Sequence, residues 1–334
     1  MQPSLNIGFI EISAPSSLKR DAVKTLLLKL GFNLVGHHKL HAVELYKNVT
    51  SYIALNYEQK GRGNCREGSY VQMHGLCISG LCLLTDRVAQ LIHKISNCGG
   101  QLYKYHTPFN LQSFMGLGDS LLHILDTSKW KEFLVRHFDI IEKKENTLKI
   151  INSISFDHLQ ISIFKAHELH TLKILCEGLG LIKTSTNALH LNNHVIHSVE
   201  SHCKNILFRV QVLSNNLAGN NNYLKQHQDS GISMIGLQVN NFESGIPQEI
   251  KNKMKFAQRS PQYYIEASDL FQQTCINFFK LSKQSLGIDG YVDIAHYAYF
   301  TTVVEESLIS PLQFILVQRP KGSEKFVGNF EYFT

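Results

Sequence analysis

The chain has 334 residues, of which 43% are hydrophobic and 18% charged, with a formal net charge of +6. That length exceeds one small core and suits two domains of ordinary size, and the composition is that of a soluble globular protein. No tract approaches the length of a membrane-spanning helix, and Met1 to Gly8 has neither the basic start nor the apolar core of a secretory leader, so a cytoplasmic location is expected. Seven cysteines, an odd count without a close CxxC pair, suggest neither a disulfide framework nor a zinc ribbon. Lys143-Lys144 and the interrupted run from Lys251 to Lys255 read as solvated helix faces; neither nucleic acid nor membrane is expected as a partner.

In chain order, Ile7 to Ile12 predicts a strand and Leu18 to Leu30 an amphipathic helix, stopped at Leu30-Gly31-Phe32 by a residue type that tolerates the left-handed conformation. Val43 to Lys47 and Ser51 to Asn56 alternate as a hairpin across Asn48-Val49-Thr50. A second strand and helix follow at Leu76 to Leu84 and Thr85 to Ile95, closed by the turn Cys98-Gly99-Gly100. The polar stretch from Lys143 to Asn152 is the expected linker between an N-terminal domain over 1–145 and a C-terminal domain over 153–334.

The second half opens on Phe156-Asp157-His158-Leu159-Gln160-Ile161. Alternation predicts a strand with Ile154, Phe156, His158 and Gln160 on one face and Asp157, Leu159 and Ile161 on the other. A helix is expected from His167 to Cys176, ending at the glycines of Glu177-Gly178-Leu179-Gly180. The gap from Glu11 to Leu30 equals that from Gln160 to Leu179, 19 residues in both, which indicates duplication. Gly231 to Leu237 reads as a strand, Pro247 to Ala257 as a helix, and Val292 to Thr302 with Leu312 to Arg319 as an antiparallel pair; Ser214 to Asn222 is a surface loop. Four βαβββ units result, two per half.

These stretches, in their order and spacing, resemble the 4-hydroxyphenylpyruvate dioxygenase family of the vicinal-oxygen-chelate superfamily. The similarity runs through Gly8-Phe9-Ile10-Glu11, Leu30-Gly31-Phe32, His37-His38-Lys39, Val43 to Lys47, Leu55-Asn56, His74-Gly75, Gly99-Gly100, Phe156-Asp157-His158-Leu159, Tyr299-Phe300-Thr301, Val317-Gln318-Arg319 and Gly328-Asn329-Phe330. It implies an α+β fold of two vicinal-oxygen-chelate domains, each a curled, half-open β-barrel of two βαβββ units with helices outside. It also implies a C-terminal catalytic site, no metal in the N-terminal domain and, as in bacterial members, a homo-oligomer.

The family's site holds Fe(II) by two histidines and a glutamate and leaves positions open for a 2-oxo acid and O2. By that resemblance the first histidine falls on His158. The second position reads methionine, Met234 in Gly231-Ile232-Ser233-Met234-Ile235, and the third reads isoleucine, Ile315 in Phe314-Ile315-Leu316-Val317-Gln318-Arg319. A thioether is a poor ligand for hard Fe(II) and isoleucine is none, so no iron cofactor is expected. Two substrate-contact positions also differ, reading Gln211 and Ala298, whereas Phe300, Phe326 and Phe330 fall where the family places rings around an aromatic substrate.

By strand alternation His296 shares a side with Ala298, and Gln313 with Ile315, so a displaced Fe(II) site using His158, His296 and a carboxylate or water is the alternative. Without partners, His158 is instead a polar group hydrogen-bonded in the pocket. His167-Glu168-Leu169-His170 and the pair His194 and His197 lack the spacing of a zinc-protease motif and read as exposed histidines. Two functions are therefore expected. One is a non-catalytic protein that binds a small aromatic molecule or 2-oxo acid in aromatic amino acid metabolism, or regulates through it; the other is an active metal-dependent dioxygenase with a changed ligand set.

Overall fold

The computed structural model describes residues 4–58, 66–141, 154–189, 194–214, 222–239, 255–270, 277–289, 299–304 and 307–319. The N-terminal half forms one sheet from β1 (Leu5–Ser13), β2 (Asn33–His38), β3 (Val43–Asn48), β4 (Ser51–Asn56), β5 (Cys77–Thr85), β6 (Gln101–Leu102), β7 (Gln112–Leu117), β8 (Ser120–Asp126) and β9 (Phe138–Ile140). The C-terminal half forms a second from β10 (Ser155–Phe164), β11 (Ile182–Leu189), β12 (His194–Glu200), β13 (Leu207–Leu213), β14 (Gly231–Gln238), β15 (Gly287–Asp289), β16 (Tyr299–Val303) and β17 (Gln313–Gln318). Their spatial orders are β6-β7-β8-β5-β1-β4-β3-β2-β9 and β11-β12-β13-β10-β14-β17-β16-β15. Read from opposite ends these are one order, with β9 added, and each sheet is open at both edges.

The duplication reaches the side chains. β1 pairs with β5, and β10 with β14, antiparallel, with register shifts at matching places, Ile7/Phe9 and Glu11/Ile12 in the first half, Phe156/His158 and Gln160/Ile161 in the second. Ser13 Oγ donates to Ser79 Oγ at 2.6 Å, and Ser162 and Ser233, at the corresponding positions, share a hydrogen bond at 2.8 Å. The Asn56 amide donates to Glu11 at 2.8 Å, and Gln160 to Gln211 at 3.0 Å. Bulges are built-in features of a strand, so two copies sharing both bulges and the polar contacts beside them descend from one unit.

The first helix, α1 (Ser17–Lys29), starts where the Ser16 side chain accepts from the Lys19 amide and ends at Gly31, φ 79, with the Phe32 amide returning to the Leu27 carbonyl. Its counterpart differs from the expected continuous helix: a 3₁₀ turn at Lys165–His167 leads into α-helix Glu168–Lys173 and then a π-helical turn over Ile174–Gly178. It stops at Gly180, φ 71. The predicted helix from Pro247 lies outside the described residues except at its end, where Phe256 makes an isolated bridge to Val304. Among the described residues, helices of that unit lie at Pro261–Leu270 and Phe278–Lys283. The expected strand from Val292 is described only over Tyr299–Val303, antiparallel to β17.

Helices from both halves meet between the sheets in one core that contains Leu26, Leu27, Leu91 and Ile95 with Leu159, Ile161, Ile174 and Leu175. The opposite face of the N-terminal sheet is filled by its own rings. Phe9 lies 4.6 Å from Phe109 and 6.0 Å from Phe133, and Trp130 stacks on Phe133 at 5.7 Å. Phe9 occupies the register place that His158 holds in the second half, so at that position an aromatic ring replaces the imidazole.

The halves dock through the tip of the β7–β8 hairpin. The Asp119 amide donates to the Ser230 carbonyl at 3.2 Å, and Gly118, φ 62, lies so close that a Cβ would fall 1.9 Å from that oxygen. Beside it, the buried His74 ring sits between Asp119 Oδ2 at 3.1 Å and the His227 carbonyl at 2.5 Å. The ring thereby bridges the two halves at this hairpin.

Candidate ligand site

The register shift at Phe156/His158 decides the site. Strict alternation would send Asp157 to the helical face, but at a bulge two successive side chains lie on the same side of the sheet. Asp157 and His158 are both buried, and Asp157 Oδ2 lies 2.8 Å from His158 Nδ1. The sequence-based expectation that the two residues face apart is corrected by this bond. Arg319, at the end of β17, closes the other side of the carboxylate: its Nε donates to Oδ1 at 2.7 Å and its Nη2 to Oδ2 at 2.6 Å. Such a bidentate fork fixes both the carboxylate plane and, through it, the imidazole.

The protonation states follow from burial and partners. Burial alone would raise the Asp157 pKa; the Arg319 charge and the hydrogen bonds from His158 and Arg319 outweigh it and hold the carboxyl well below the usual range. Asp157 is thus an acceptor only, and His158 Nδ1 carries the proton. Burial pushes the His158 pKa down from 6.5 to about 4; the Asp157 hydrogen bond and charge oppose this, and the charges of Arg209 and Arg319 add to it. The ring is therefore neutral at physiological pH with its lone pair on Nε2, a buried atom without a hydrogen-bond partner among the described residues.

A pH dependence results. Between pH 6.5 and about 4 the unfolded chain binds a proton at His158 that the folded chain refuses. The associated stability is present above pH 6.5 and is lost as pH falls toward 4, by roughly 3 kcal/mol in all. Denaturant titrations at pH 7.5 and 4.5 should show that loss reduced in His158→Ala; an unchanged difference would refute it.

Around this centre, the register aligns His158 with Gly236 and Ile315, and Gln160 with Arg209, Met234 and Gln313. Gly236 leaves room for the imidazole, since a Cβ there would fall 2.4 Å from Nδ1. Gln211 Oε1 accepts from Gln160 at 3.0 Å and from Ser162 at 3.1 Å, and Ser162 meets Ser233, a short polar chain along the strands. Met234 and Ile315 are buried and cluster with Val317. Gln313 begins β17 and is exposed. Phe300 pairs with Gln318 on β16, whereas His296, Ala298, Phe326 and Phe330 lie outside the described residues.

The three positions that the dioxygenase resemblance assigns to iron thus present one imidazole, one thioether and one hydrocarbon, which does not fit Fe(II). Among the described residues, no three His, Cys, Asp or Glu side chains converge as a metal site. Asp157 and Arg319 were not expected as site residues; the only signal was their presence in the quoted motifs, because neither a bulge nor a contact between distant strands can be read from spacing. His197, expected to be exposed, is a buried strand residue held by Glu168 at 2.8 Å and Thr186 at 3.0 Å. A β-strand of alternating polarity buries one histidine face, and the Glu168 carboxylate makes that burial tolerable.

Two sheets, each from two βαβββ units and open at its edges among the described residues, have the vicinal-oxygen-chelate fold. Residues 4–140 match the family model described as hydroxyphenylpyruvate dioxygenase, HPPD, N-terminal. The whole chain is 21% identical over 340 residues to 4-hydroxyphenylpyruvate dioxygenase of Legionella pneumophila (strain Corby), covering 97% of this chain and 91% of that protein. Among solved structures, a variant of 4-hydroxymandelate synthase from Streptomyces coelicolor superposes with a TM-score of 0.75 at 13% identity, covering 97% of this chain and 96% of that one. A xylose isomerase-like TIM barrel/4-hydroxyphenylpyruvate dioxygenase fusion protein gives 0.76 at 15% identity over 95% of this chain; this chain spans about half of it, 49%. The chain is thus similar to 4-hydroxyphenylpyruvate dioxygenases along most of its length, with the family model matching its N-terminal half.

Proposed function

We infer that this chain is a non-catalytic small-molecule-binding or regulatory protein on the dioxygenase scaffold, taking an aromatic acid against the inner face of its C-terminal sheet. The observation that carries this is the packing of Met234 and Ile315 into one apolar cluster with Val317, which puts buried hydrocarbon and thioether where two iron ligands would stand. Iron is accordingly not part of the resting protein. The N-terminal half supports and does not bind, since Phe9, Phe109 and Phe133 fill its inner face. A cytoplasmic protein acting as a homo-oligomer on aromatic metabolites is the setting that suits this role. Among the described residues no helix is long and apolar enough to cross a membrane.

Elemental analysis of protein purified without chelator tests the inference. Iron, zinc, manganese and copper should each be near zero per folded chain, and the double variant Met234→His/Ile315→Glu should acquire Fe(II) binding. One equivalent of metal in the wild type, lost in both His158→Ala and His296→Ala, would overturn it and favour the alternative, an active metal-dependent dioxygenase with a changed ligand set, to be read by oxygen uptake with 2-oxo acids.

A further inference from the structure

We propose that the C-terminal site selects an aromatic 2-hydroxy acid over the corresponding 2-oxo acid, through a hydrogen bond that the ligand hydroxyl donates to His158 Nε2. This rests on the aromatic-acid reading of the same site and names the chemistry of its head group.

Three observations converge. The first is the tautomer: Asp157, held by two Arg319 donors, can only accept, so the proton of the neutral imidazole is on Nδ1 and Nε2 offers a lone pair. The second is that Nε2 is buried and has no described partner, while the rest of the ring is fully supported by Asp157 on one edge and the Gly236 backbone across its face. A buried acceptor without a donor is unfavourable, and a molecule that supplies one recovers that free energy. The third is charge: the positive charge of Arg209, on the neighbouring strand and the same face, reaches the His158 ring, which favours a carboxylate at this end of the site.

A 2-hydroxy acid satisfies all three, its carboxylate in the positive field and its hydroxyl proton on Nε2. A 2-oxo acid would set a carbonyl lone pair against the imidazole lone pair. The preference is therefore opposite to that of a metal site, where a 2-oxo acid chelates and a histidine lone pair is already spent on the ion.

Isothermal titration of the full chain in EDTA-containing buffer at pH 7.5 tests this with three probes that share ring and carboxylate: 3-phenyllactate, phenylpyruvate, and 3-phenylpropanoate. Wild type should bind 3-phenyllactate about 10-fold or more tightly than either of the others, the scale of one buried hydrogen bond. That ratio should fall to about 2-fold or less in His158→Ala and partly return in His158→Gln, whose amide oxygen can accept. Thermal melts of each variant establish that it is folded. Equal binding of the three probes by wild type, or a ratio unchanged in folded His158→Ala, overturns the hydroxyl proposal while leaving the aromatic-acid site in place. Failure of all three to bind overturns both.

Discussion

Arg319→Met is expected to destabilise the protein by about 3–5 kcal/mol, the penalty for leaving one member of a buried ion pair without its partner. Asp157 is 2% exposed, and its two carboxylate oxygens receive Arg319 at 2.7 and 2.6 Å. Methionine preserves most of the volume but supplies no charge, so the carboxylate is left with His158 alone. The imidazole must then respond. With Arg319 gone, a positive charge that lowers the His158 pKa disappears and the uncompensated carboxylate favours the imidazolium, so the pKa should rise from about 4 toward neutrality. Denaturant titration reads the first effect and NMR titration of the His158 ring the second. Adding Asp157→Asn should restore part of the loss, because removing both charges is milder than stranding one. A single variant that loses less than about 1 kcal/mol would show that the pair is solvated and contributes little, as exposed pairs do.

The second large effect is expected at Gly118→Ala. Its backbone has φ 62, and the added Cβ would lie 1.9 Å from the Ser230 carbonyl oxygen and 2.3 Å from its carbon. Neither atom is the end of a flexible side chain, so the β7–β8 hairpin must withdraw from the C-terminal half and the contact from the Asp119 amide to Ser230 must break. Left-handed strain and lost docking together should amount to about 3–5 kcal/mol. Gly180→Ala provides the control: its φ is 71, but nothing lies within 4 Å of its Cβ position, so only the conformational penalty of about 1 kcal/mol applies. The difference between the two variants isolates docking. Equal losses would mean that the halves are not held together at this hairpin, and Gly118→Ala should otherwise be the one that exposes the junction to limited proteolysis.

The internal duplication explains why the two halves differ in role while sharing a plan. At the place where β10 carries His158, β1 carries Phe9, and the ring recruits Phe109, Phe133 and Trp130 into a closed aromatic plug. Both halves have the bulge, but only the second sets a carboxylate and a guanidinium beside it, and with them a buried imidazole whose Nε2 has no hydrogen-bond partner among the described residues.

Much of this was legible before any coordinates. Strands of period 2, glycines at Gly31 and Gly180 that stop helices, and the equal spacing of the two opening units follow from local conformational preference, which nearby residues determine by themselves. The side chains at 234 and 315 were equally plain in the sequence: a thioether is a poor ligand for a hard Fe(II) site and a hydrocarbon is none. What spacing could not show is that Asp157 turns to the same side as His158, because a bulge depends on how the partner strand β14 is matched and not on β10 alone. Nor could it show Arg319 bonded to Asp157 across 162 residues of chain, or Gly118 pressed against Ser230. Those are contacts between elements that meet only when the sheets close and the halves dock, whereas the proton on His158 Nδ1 is set by the bulge that turns Asp157 toward it and by Arg319, which keeps that carboxylate an acceptor.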